Sequence, residues 1–119
     1  MEVQIRNPFS LLGRKLLLRF DMFAWEKMCH LNGKEFHELG DLNEQQLMLS
    51  WLYAAYLSGC ASKYTKPKHD FRYIVRVYRW YYVNDHKVIA QLIEMIEQSK
   101  LMGKTVAEWK SEGEKKKSQ

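Results

Sequence analysis

A chain of 119 residues is the size of one domain and long enough to bury roughly two-thirds of the surface its unfolded form exposes. With 46% hydrophobic and 28% charged residues, and no apolar run near the ~20 residues of a bilayer span, the composition excludes a membrane-spanning chain and wholesale disorder. The formal charge of +5 is local: Lys63, Lys66, Lys68, Arg72, Arg76, Arg79 and Lys87, set against Asp70 and Asp85, carry the whole excess, which points to a basic face on one element.

Val3 and Ile5 alternate with Glu2, Gln4 and Arg6; Asn7, Pro8, Ser10 and Gly13 make a turn-rich connection, and residues 15–20 can return as a second strand. A short β-hairpin is therefore expected within residues 1–20. The Met-Glu-Val-Gln-Ile-Arg start has no basic region followed by a long apolar segment, so nothing there marks the chain for secretion. Asp21 suits an N-cap, and Met22, Trp25, Met28 and Cys29 form the inward stripe of a helix over 22–32 that stops at Asn32-Gly33. A connector with Phe36 and Leu39 follows. Asn43 and Gln46 have capping-box spacing, and Leu42 and Leu47 the spacing of a hydrophobic staple. The helix they start runs through Trp51, Ala54, Ala55 and Leu57 to Gly59, with residues 60–69 as a linker.

Phe71, Ile74, Val75, Tyr78, Tyr81 and Tyr82 recur on one helical face, although their β-branched and aromatic character also admits a strand. Asn84 or Asp85 opens a further helix with Val88, Leu92, Met95, Ile96 and Ser99 inward and Gly103 at its end. Thr105 and Glu108 form a last capping box for a short turn carrying Trp109, before a polar, lysine-rich tail. The expected fold is mainly α: a short N-terminal β-hairpin followed by a compact bundle of four to five helices. Residues 1–103 make one domain and 104–119 a capped turn and tail, with no internal repeat.

Cys29 and Cys60 form no close pair and lie in helical sequence, which suits free thiols in a reducing cytoplasm. Cys29-His30, His37, Cys60, His69 and His86 lack the paired spacings of a zinc site, so no metal is expected. No Ser sits in a GxSxG elbow, no carboxylate pair stands out, and the six glycines are isolated. A protein without catalytic residues or cofactor is expected. Arg72, Arg76 and Arg79 fall on one side of their helix, flanked by Tyr73 and Trp80. Three readings fit them: a solvated basic face, a phosphate-binding stripe for nucleic acid, or a docking site for an acidic partner helix.

The run Leu18-Arg-Phe-Asp21, the segment Met22 to His30, Asn32-Gly33-Lys34, Phe36-His-Glu-Leu39 and Leu49-Ser-Trp-Leu-Tyr-Ala-Ala55 together resemble the tail assembly chaperones of long-tailed bacteriophages. The resemblance covers residues 1 to about 60, and the aromatic, arginine-rich 71–82 segment departs from it. It implies a non-enzymatic chaperone in the cytoplasm of the infected bacterial host that binds the tape measure protein, with the tail tube subunit as a second candidate partner. Homo-oligomers are compatible with it, and a membrane is not expected as a partner. Such chaperones are often made in two lengths by frameshifting, and Glu114-Lys115-Lys116-Lys117 would be encoded by an adenine-rich stretch. The residues expected at the partner surface are Tyr73, Arg76, Arg79 and Trp80. Competing expectations are a small nucleic-acid-binding protein using Arg72, Arg76 and Arg79, or a virion component such as a head–tail connector.

Overall fold

Asp21 is where the β part of the chain hands over to the helical part. In the computed structural model, which describes residues 2–35, 38–39, 42–101, 104–105 and 108, strands β1 (Glu2–Arg6) and β2 (Lys15–Arg19) pair antiparallel with Ile5 opposite Leu16 and Val3 opposite Leu18. The alternation gives the hairpin one apolar face, with Ile5, Leu16 and Leu18 buried. Asp21 Oδ1 then accepts from the Ala24 amide, capping α1 (Met22–Asn32), and also from the Ser58 hydroxyl at 2.7 Å. Its other oxygen holds Arg19 at 3.0 Å, so one carboxylate ties strand end, helix start and α2 together. At the other end Gly33 takes φ +62° and its amide reaches back to the last carbonyls of α1.

Helix α2 (Glu44–Ser62) is capped by Asn43, whose side chain accepts from the Gln46 amide at 2.8 Å. It is apolar nearly all round because it is the central element, packed against β2, α1 and α3. Trp51, Ala54 and Ala55 are fully buried, and Trp51 meets Trp25 edge-on at 4.5 Å and Phe20 at 5.4 Å. Gly59 does not end this helix, as its position suggested; it lies inside it, and the 60–69 linker shrinks to begin at Lys63. The cause is steric. A Cβ at position 59 would stand 2.2 Å from the Leu17 carbonyl oxygen, so the residue is glycine to let helix and strand backbones touch.

Helix α3 (Phe71–Asn84), capped by Asp70, and α4 (His86–Gln98) complete the four helices of the described residues. The inward face of α3 is Ile74, Val77 and Tyr81; Phe71 and Tyr82, expected on the core stripe, are exposed, as is Met22 on α1. In each case the stripe turns toward the side that meets its neighbours. Asp85 precedes α4 without a side-chain cap bond, while Asn84 spends its amide on the Trp80 carbonyl. Ile89, Leu92 and Ile96 are the buried stripe of α4, which stops at Ser99 rather than at Gly103. Beyond it β3 (Lys100–Leu101) pairs with β4 (Lys104–Thr105), and Thr105 Oγ1 accepts from the Glu108 amide as the capping spacing foretells. Phe36, His37, Gly103, Trp109 and the lysine-rich tail lie outside the described residues.

Candidate interaction surfaces

The two flanks of α3 do different work. On one, Tyr73 and Trp80 are half-buried against the hairpin. The Asn7 amide, itself buried, donates to the Tyr73 hydroxyl at 2.7 Å, and that hydroxyl lies 3.1 Å from Asn7 Oδ1, to which it donates in turn. The His69 ring stacks on Tyr73 at 3.9 Å and 8°, Phe9 meets Tyr73 edge-on at 6.0 Å, and the Arg76 guanidinium lies 5.2 Å from the Phe9 ring centre. Arg6 stands 5.8 Å over Trp80, and the Tyr81 hydroxyl donates to the Arg6 carbonyl. Burial pushes the His69 pKa down, Lys68 adds to the effect, and Asp70 opposes it.

Arg79 belongs to the opposite flank. There the first half of α2 and the second halves of α3 and α4 enclose a surface groove of about 670 Å³. It is lined by the buried Leu47, Met48 and Trp51 of α2, by Tyr78, Tyr82 and Val83 of α3 and by Ile93 of α4, with Arg79 and Glu97 among the polar groups. Tyr82, Val83 and Ile93 are large apolar side chains left exposed. Of the expected surface residues, then, Tyr73 and Trp80 are engaged with the hairpin, Arg76 leans on Phe9, and Arg79 alone lines the groove; Arg72 is exposed one turn before Arg76. None of the three arginines forms an ion pair with a described residue. The groove itself was not anticipated. Its sequence signal is Val83 and Ile93, apolar residues that fall off the stripes of their helices.

A third exposed feature is the connection between β1 and β2. It is built by its own turns: the Phe9 amide donates to Asn7 Oδ1, the Ser10 amide to the Asn7 carbonyl, and the Arg14 amide to Ser10 Oγ. At its tip Leu11 and Leu12 are 103% and 79% exposed. Tyr64, at the start of the connection between α2 and α3, is 99% exposed.

The chemistry of the reactive groups is subdued. Burial pushes the Cys29 thiol up, and the carboxylates of Glu26 and Glu35 push it further, the opposite of what an activated nucleophile requires. Cys29 and Cys60 are both free thiols, half-buried. Among the described residues no three His, Cys, Asp or Glu side chains gather closely enough to hold a metal ion, and no helix is long and apolar enough to cross a membrane. Comparison with protein-family models, with curated proteins and with solved structures gives no match.

Proposed function

We propose that this chain is a non-catalytic binding protein that covers an apolar helical stripe on another polypeptide, and that it serves as a tail assembly chaperone holding the tape measure protein in the cytoplasm of a phage-infected bacterium. The observation that carries the binding role is the groove lined by the exposed Tyr82, Val83 and Ile93 together with the buried Leu47, Met48 and Trp51. An apolar trough between helices is the shape that receives one face of an amphipathic helix, read by anchors at i, i+3/i+4 and i+7. A tape measure chain, long and helical, exposes such stripes until the tail closes around it, and uncovered stripes aggregate. The chaperone assignment rests on the resemblance of residues 1 to about 60, with the tail tube subunit as a second candidate partner.

The test is co-expression with a tape measure segment from the same phage. The wild-type chain is expected to keep the segment soluble and to co-purify with it, whereas Tyr82→Ser with Ile93→Ser, which removes two exposed anchors worth about 1–3 kcal/mol each, leaves it insoluble. Equal solubilisation by both proteins refutes the groove. The nucleic-acid reading is favoured by Arg72, Arg76 and Arg79 standing without an ion pair to a described residue. It requires affinity for an oligonucleotide that falls steeply with salt.

A further inference from the structure

We propose that the end of the molecule formed by the β1–β2 loop and the α2–α3 connection is a peripheral docking face for an anionic lipid bilayer. The two segments are joined side by side by a chain of rings, with Phe9 edge-on to Tyr73 and Tyr73 stacked on His69. Each presents apolar anchors to solvent: Leu11 and Leu12 at the tip of one, Tyr64 in the other. The loop is not slack, since five hydrogen bonds within residues 7–14 shape it and Asn7 is fixed to Tyr73. Two adjacent leucines held in water by a hydrogen-bonded turn, with the exposed Tyr64 ring as a third apolar group, are the kind of surface that marks a binding site.

Charge identifies that partner. Arg14 and Lys15 follow the leucines; Lys63, Lys66 and Lys68 flank Tyr64 along the chain; and the Arg76 guanidinium lies over Phe9. All six are exposed, and none forms an ion pair with a described residue. Across residues 7–18 and 61–84 the sequence has a single carboxylate, Asp70, and its Oδ1 is spent on the Tyr73 amide. Aliphatic tips for the hydrocarbon edge, a tyrosine for the interface and Lys/Arg for the phosphates are the composition of interfacial anchors. Nucleic acid takes up leucines only as wedges between unstacked base steps, and an acidic protein would need a cavity matched to two separate loops, whereas a bilayer accepts any convex apolar tip. A chain whose described residues hold no helix able to cross a membrane can still adhere in this way, and the face is distinct from the groove proposed above.

The experiment is flotation of the full chain with vesicles of phosphatidylcholine alone and of phosphatidylcholine mixed with phosphatidylglycerol, at low and high salt. Binding is expected to the anionic vesicles only, weakening as salt rises. Leu11→Ser with Leu12→Ser, at exposed side chains and with thermal unfolding expected to match wild type, is expected to lower the affinity at least about tenfold. Arg14→Gln and Lys66→Gln should each lower it about fivefold. Free glycerol phosphate should not compete, and the groove variant Tyr82→Ser with Ile93→Ser should float like wild type, so this face and the groove stand or fall separately. The proposal is overturned by absence of binding to anionic vesicles at low salt, or by binding indifferent to the leucines. Capture of an oligonucleotide or of polyglutamate without vesicle binding also overturns it, assigning the face to nucleic acid or to acidic protein.

Discussion

Replacing Gly59 by alanine sets two well-measured effects against each other at one atom. Gly59 is interior to α2, and on helix propensity alone alanine stabilises by about 1 kcal/mol. The added Cβ, however, would stand 2.2 Å from the Leu17 carbonyl oxygen and 2.9 Å from its carbon. Restoring a van der Waals distance needs roughly 1 Å of separation between α2 and β2, and a gap of that size forfeits a quarter to a half of each dispersion contact across the interface. The contacts at risk are those between β2 and α2, so the overpacking cost of about 1–3 kcal/mol should outweigh the propensity gain of about 1 kcal/mol, leaving a net loss of up to about 2 kcal/mol. Urea unfolding followed by tryptophan fluorescence reads this directly, as Trp25 and Trp51 lie in the same core. Since the obstacle is backbone, Leu17→Ala in the same chain should not rescue the variant. A stability equal to or above wild type would refute the close approach of helix and strand.

Other expectations are smaller in scope. Tyr73→Phe strips the buried Asn7 amide of its acceptor and should cost about 1–2 kcal/mol in the same unfolding assay; a neutral result would mean that this bond does not fasten hairpin to helix. Because His69 has a lowered pKa in the folded chain, protons bind the unfolded state more readily, so stability is full above the ordinary histidine range and falls as pH drops through it. His69→Asn should flatten that part of the pH–stability curve, and an unchanged slope would place the effect elsewhere. Cys29, its thiol pushed up, should react slowly with iodoacetamide at neutral pH and much faster once the chain is unfolded.

The elements were legible in the sequence wherever a local rule decides them. Asp21, Asn43 and Gly33 cap as their residue types dictate, since a cap needs only its own helix. Gly59 misled because its reason lies on another element, the Leu17 carbonyl, which no periodicity within α2 reports. The direction of the α3 stripe was shifted for the same reason: Phe71 and Tyr82 obey the helical spacing as well as Tyr81 does, and only the placement of the hairpin and α2 decides which of them is covered. Tyr73, Arg76, Arg79 and Trp80 were visible as an aromatic and basic cluster, but their division between the hairpin flank and the groove depends on Phe9 and Arg6, some seventy residues away. The groove draws on three helices at once, so Val83 and Ile93, off the stripes of their own helices, gain a meaning only when α2, α3 and α4 are set side by side.

The central claim, that the α2–α3–α4 groove receives an apolar helix, is tested most directly by titration calorimetry of the intact chain with a helical tape measure segment at several temperatures. The account predicts saturable binding with a negative heat-capacity change, lost in the Tyr82→Ser, Ile93→Ser protein while its unfolding curve stays close to wild type. Binding of equal strength by that variant, or no binding by the wild-type chain, would contradict it.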